Sequence, residues 1–310
     1  MVGGRGSRAD RGRSLAGRRS GWPHSHEGRG PPGLASGKLL LRTGDACDFD
    51  PEHLLDVFGE QRQRFIAVLQ GFGPDDWAAR TRCTDWSAHD VVRHLCDNNM
   101  KAAAVEPDDR MLDITAGYDP RITPREWLTA SAGESPGATL GRFVATTEER
   151  LALDRARLAQ GRRFDVRMPY GPVDWTVRVL HGFWDSWLHE RDVLLVQGAE
   201  HPTDGDATVY VTAYGLFIAA AVASVFGDPV QERLTLGGDG GGVFDLDSRD
   251  GVTLTVNRVT TAGPPAAQVA DALAGRSQIA AVLGDLPASS RAALSHMANF
   301  FNTPVEQSPT

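Results

Sequence analysis

Apolar residues recur at helical spacing in four long stretches of this chain. In 51–72, Leu54, Phe58, Phe65, Val68, Leu69 and Phe72 fall on one stripe, and Gly73-Pro74 breaks it. Ser87 is an N-cap residue with Asp90 three places on in the capping-box position, and Val91, Val92 and Leu95 follow, so a second helix is predicted that also carries His94. Leu140, Phe143, Val144, Leu151 and Leu158 predict a third over 138–158. The fourth, 174–198, places Val177, Leu180, Trp184, Trp187, Leu188, Val193 and Leu195 at helical spacing, with Gly198 where a C-terminal cap belongs. Four long helices with a connection after each predict a bundle, whose inward faces bring side chains of different helices together. The connection 107–124, rich in Asp and Pro, reads as loop.

Beyond Gly198 the pattern changes. Residues 207–226 carry no charge, a span of membrane length, but they are rich in Ala and Thr and flanked by acidic residues, which predicts a buried helix of a soluble fold. Short alternating runs at 232–236, 242–246 and 252–256, separated by Gly- and Asp-rich turns, predict strands, and 266–273 and 288–301 two closing helices. The predicted class is therefore α+β: a tail over 1–45, a helical bundle over 46–200 and a small α+β domain over 201–310.

Residues 1–45 are Gly, Arg, Ser and Pro with almost no apolar periodicity, a composition too poor in buried surface to offset its ordering entropy and one shared with transit peptides. This segment holds nine Lys/Arg against three Asp/Glu, so of the chain's net charge of −8 the remainder carries −14. An acidic folded part argues against nucleic acid as a partner. Three cysteines, Cys47, Cys83 and Cys96, form no CxxC and no even framework, which points to a reducing, cytoplasmic setting. Neither Cys83, with no evident basic partner to lower its pKa, nor Cys96, which points well round from His94 on the same helix, reads as a nucleophile.

On the fourth helix Asp185 and His189 are four residues apart and share a face. With His94 from another helix they make two imidazoles and a carboxylate, a donor set suited to Zn²⁺ or a related divalent ion with one position left open, as catalytic zinc sites have. The spacing alone also fits a hydrogen-bonded core histidine and a solvated aspartate. His181 continues the row at i−4 from Asp185, but it lies about 12 Å along the axis from His189, too far for both to reach one ion, so His181 is left outside the set.

Three blocks carry a family resemblance. The stretch Cys83-Thr84-Asp85-Trp86-Ser87 through His94-Leu95, the block Trp184-Asp185 through His189-Glu190-Arg191-Asp192, and Ala274-Gly275-Arg276 resemble the mycothiol-dependent maleylpyruvate isomerase family of DinB-like helical-bundle metalloproteins. The resemblance covers about 51–286. It implies a DinB-like four-helix bundle followed by a smaller α/β domain, with His94, Asp185 and His189 as metal ligands and Asp192 orienting an imidazole from behind. It also implies Arg276 as a catalytic residue that clamps a carboxylate, and zinc and mycothiol as cofactors. The family usually has Glu where this chain has Asp185, one methylene shorter. The implied activity is that of an isomerase or a thiol transferase in which a metal-held thiolate attacks a small electrophile. A non-catalytic small-molecule-binding module with a vestigial metal site is the alternative.

Overall fold

The computed structural model describes residues 37–41, 49–83, 85–104, 112–113, 119, 122–259 and 262–301. All four expected bundle helices are present: α1 (Pro51–Gln70), α3 (Ala88–Ala103), α5 (Pro136–Ala159) and α6 (Trp175–Leu194), with the short α2 (Pro74–Ala78) after α1. Their starts are set by capping side chains, of which the pattern predicts Ser87 with Asp90. Asp50 accepts the backbone N–H groups of Glu52 and His53, Ser87 and Asp90 make a reciprocal capping box, and Ser135 accepts from Ala138. The expected loop 107–124 lies mostly outside the described residues; within the longer connection stand a two-residue strand, β2 (Leu112–Asp113), and α4 (Thr123–Ala130). One feature has no counterpart in the predicted pattern. A hairpin of β3 (Asp165–Met168) and β4 (Gly171–Asp174) leads straight into α6 and supplies its N-cap, Asp174, while β2 pairs parallel with β3.

The second half begins with α7 (Gly205–Val225), the apolar helix. It is long and apolar enough to cross a membrane, yet it is buried along almost its whole length, packed by α6, by α8 (Ala266–Leu273) and α10 (Ala288–Phe301), and by the sheet. That sheet is antiparallel, in the order β1-β7-β6-β5, from β5 (Gln231–Leu236), β6 (Gly242–Asp247), β7 (Val252–Asn257) and β1 (Gly37–Leu41). A single turn, α9 (Ile279–Val282), precedes α10.

Two expectations need correction. Residues 37–41, assigned to the tail, form edge strand β1, paired from Gly37↔Val256 to Leu41↔Val252. The edge of β7 takes up the short apolar run Leu39-Leu40-Leu41 of an otherwise polar segment. The boundary at 200 does not separate two cores either. Leu34–Thr310 is one compact unit, and a single apolar cluster runs from Phe49 and Leu54 through Trp187 to Tyr214, Phe244 and Met297. Accordingly, a variant that begins at residue 46 should melt several degrees below one that begins at residue 34, because only the former lacks β1. Equal melting temperatures would make the strand energetically silent.

Candidate metal centre

The side chains of interest converge where α3, α6, the connection after α2 and the turn after α8 meet. That connection is a hook: Arg80 bridges to Ser87, Thr81 N–H donates to the Trp86 carbonyl at 3.2 Å and Trp86 N–H to that of Cys83 at 2.8 Å. The hook turns Arg82 and Cys83 towards α6 and lays Trp86 across both imidazoles, with ring centroids 4.9 Å from His94 and 5.9 Å from His189. After α8, Arg276 N–H donates to the Asp271 carbonyl and Gly275 adopts φ 76°, so a glycine-terminated helix end directs Arg276 inward.

His94, Asp185 and His189 are brought together, each offering one donor atom within 4.8 Å of the others. His94 Nε2 lies 3.7 Å from Asp185 Oδ2, and His189 Nε2 lies 3.5 Å from Asp185 Oδ1. Both separations are too long for hydrogen bonds. The shorter falls within the edge of a tetrahedron of metal–ligand bonds, about 3.3–3.6 Å for the bond lengths of zinc, and the longer just exceeds it. The three residues therefore fit a divalent ion, and the shorter Asp185 reaches both imidazoles. Burial opposes charge on this pair, but the His189 imidazolium holds the Asp185 carboxyl well below its usual range, and Asp185 in turn holds His189 well above its own. Two opposite charges already face each other, and a cation would take the place of the His189 proton.

Asp192 is fully buried behind His189. Its Oδ2 accepts from His189 Nδ1 at 3.1 Å, Cys83 Sγ at 3.1 Å and Arg276 Nη2 at 2.7 Å; its Oδ1 accepts from Arg276 Nε and Arg82 Nε, each at 3.0 Å. Burial disfavours this carboxylate, yet Arg276 first and then His189 hold it far below the usual carboxylate range. The Nδ1 contact fixes the imidazole so that Nε2 faces Asp185.

Arg276 lies at the site, but its planar fork already grips Asp192, so the carboxylate it clamps is the protein's own. Cys83 departs from expectation. Its sulfur has basic neighbours after all, Arg276 Nη2 at 3.2 Å and His189 Nδ1 at 3.7 Å, contributed from 193 and 106 residues away. Cys96 is buried and its thiol is pushed up to about 12 by burial. His181 stands apart from the three donor atoms: its Nδ1 is 2.8 Å from the Tyr214 hydroxyl, and burial pushes it down to about 4, so it is neutral at pH 7.

Asn98 and Arg82 also belong to the site, beyond the residues the motifs single out. Asn98 Nδ2 donates to His94 Nε2 at 3.0 Å and to Asp185 Oδ2 at 2.9 Å, tying the two helices together at the donor atoms. Its position four residues after His94, on the same helical face, was the available signal. Arg82 links Asp192 to Asp271 on α8, with Nη2 to Asp271 Oδ1 at 2.7 Å, and nothing in its local sequence marks it.

Comparison with known proteins bears on this site. Residues 58–194 match the family described as mycothiol maleylpyruvate isomerase N-terminal domain, a stretch that contains His94, Asp185, His189 and Asp192. Among solved structures, the crystal structure of a mutant of the mycothiol-dependent maleylpyruvate isomerase aligns with a TM-score of 0.50 at 13% identity, over 74% of this chain and 91% of that one. At that identity the likeness is one of fold, and it extends beyond the matched domain. No curated protein matches the chain in sequence.

Proposed function

We propose, from the membership of residues 58–194 in the mycothiol maleylpyruvate isomerase N-terminal domain family, that the chain is a divalent-metal-dependent enzyme working with mycothiol on a small electrophile, either as a maleylpyruvate-type isomerase or as a thiol transferase. The observation that carries the reading is the convergence of His94, Asp185 and His189 at coordination distances. A zinc-type ion bound there, with one position left to a ligand, supplies the thiolate form of a low-molecular-weight thiol at neutral pH.

The chain's own residues do the rest. Asp192 orients His189, and Arg276 and Arg82 hold Asp192 in place. Trp86 packs on both imidazoles and excludes water from that side. Asp185 is the most exposed of the three donors, 17% at its side chain against 7% for each imidazole. Arg276 on this reading is a positioning residue that acts through Asp192. Free Cys83 and Cys96 are in keeping with a reducing cytoplasm.

Purified protein should contain about one zinc-type ion per chain, bind mycothiol in its presence, and consume maleylpyruvate or a related electrophile only when both are supplied. Metal-loaded, folded protein that neither binds mycothiol nor turns over any electrophile would leave the binding-module alternative. Asp185→Asn should lose metal while keeping its melting temperature within a few degrees of the metal-free parent, since the bundle core is apolar. Full metal content in that variant would remove Asp185 from the ligand set.

A further inference from the structure

Helix α6 is buried along its length except at three residues, His181, Gly182 and Asp185, which lie on one face. That strip is the partly exposed face of this helix. On the same face, Arg178 stands seven residues before Asp185, two turns or about 10 Å along the axis. Helix α3 presents a matching row, His94, Asn98 and Lys101, and the two rows run in opposite chain directions. Asn98 bonds Asp185, and Lys101 feels the charge of Arg178. The metal-binding triad therefore occupies one end of the strip and positive charge the other.

The buried arginines at that end are short of anionic partners, although the Phe58 ring lies against Arg62 and Arg150 and the Phe143 ring against Arg62. Arg178 is 9% exposed and makes no hydrogen bond or ion pair among the described residues. Arg150, 3% exposed, turns its guanidinium onto Gly182, where a Cβ would collide with Nη2, so the glycine is what admits it. Its Nε is 3.5 Å from Asp154 Oδ2, without a hydrogen bond, and Asp154 is shared with Arg157 at 3.0 Å. Arg62, 1% exposed, donates once, to Asn99 Oδ1 at 3.3 Å, and its Nε and Nη1 are unpartnered. Burial, and next the like charge of Arg150, push both Arg62 and Arg178 down to about 9. A guanidinium stays protonated at neutral pH, so the free protein carries like charges packed together in a desolvated interior. Such an arrangement opposes stability.

We propose that Arg178, with Arg150 and Arg62 behind it, forms the subsite that anchors a carboxylate of the electrophile, as a maleylpyruvate-type acid carries, while its reactive end lies at the triad. A carboxylate offers the bidentate acceptor that a guanidinium fork requires, and its charge offsets the excess. This assigns anchoring residues for the enzyme reading above and rests on that reading only for the reaction performed at the triad.

The test uses the metal-loaded full chain and its Arg178→Met and Arg178→Lys variants. Each is titrated with maleate, fumarate, acetate and chloride at matched ionic strength, and followed by melting temperature and calorimetry. The dicarboxylates should bind the parent saturably and chloride should not. Arg178→Met should weaken dicarboxylate binding about tenfold or more, as expected for a lost charge-assisted contact. It should also melt higher than the parent in the absence of ligand, because an apolar chain of similar length replaces an unpaired buried charge. Arg178→Lys keeps the charge and loses the fork, so it should bind more weakly than the parent without the gain in stability, and it decides the matter if the Met variant does not fold. Absence of saturable dicarboxylate binding to the parent, or unchanged binding in the variants, overturns the subsite. Dicarboxylate binding without any thiol-dependent turnover would sink the enzyme reading and leave the subsite standing.

Discussion

Asp192→Ala should lower the melting temperature by about 10 °C. The carboxylate has no exposure and accepts from Arg82, Arg276, His189 and Cys83, so removing it leaves two guanidinium groups and an imidazole facing one another in a desolvated space. Breaking a buried ion pair from one side costs about 3–5 kcal/mol, and a chain of this size loses about 2–4 °C per kcal/mol. A second change, Arg276→Met, should restore part of the loss in the Asp192→Ala background, because it removes one of the orphaned charges. Arg276→Lys alone should melt lower than the parent by less, since one ammonium cannot reproduce a fork that meets both carboxylate oxygens. The pH dependence follows from the sign of the shift. A carboxyl held below its unfolded value contributes its full stabilisation above about pH 4 and loses it as pH falls, so the parent should lose stability more steeply than Asp192→Ala below pH 4. If Asp192→Ala melts within two or three degrees (~1 kcal/mol) of the parent, the network is not what holds the hook, α6 and the turn after α8 together.

How much of this was readable in the sequence depends on whether the signal is local. Helices α1, α3, α5 and α6 and strands β5 to β7 were predicted nearly to their ends, since stripe period, caps and alternation are short-range properties. The row His94, Asn98 and the pair Asp185, His189 are equally local, although only resemblance connected the two helices. The grip of Arg276 on Asp192 and the approach of Cys83 to His189 join residues 84 and 106 positions apart, and no periodicity encodes them. Arg62, Arg150 and Arg178 posed the opposite difficulty. In a helical stripe an arginine is read as part of the solvated face, and only the packed structure shows these three turned inward. The hairpin β3–β4 escaped notice because its strands are four residues each, too short for alternation to register.

The largest effect on activity is expected at the triad. His94→Ala and His189→Ala should each reduce turnover by on the order of 10³-fold or more and abolish stoichiometric metal, because two remaining donors do not hold a zinc-type ion against water. The double variant should be hardly worse than either single one, as happens when residues act as a unit rather than additively. His94 enters from α3 and His189 from α6, yet both face the same carboxylate at 3.7 and 3.5 Å, so the loss of either opens the same polyhedron. The two single variants should differ in stability. His189→Ala deprives Asp192 of its Nδ1 partner but leaves it both arginines, whereas His94→Ala removes an imidazole held by Asn98 and Trp86. His189→Ala also takes away the imidazolium that faces Asp185, so it should melt below His94→Ala, while both proteins should still fold and melt as single transitions. Turnover and metal content, measured on the same preparations, check the expectation. Additive losses, with the double variant lower than either single by the product of their factors, would mean that His94 and His189 serve separate steps and do not share an ion.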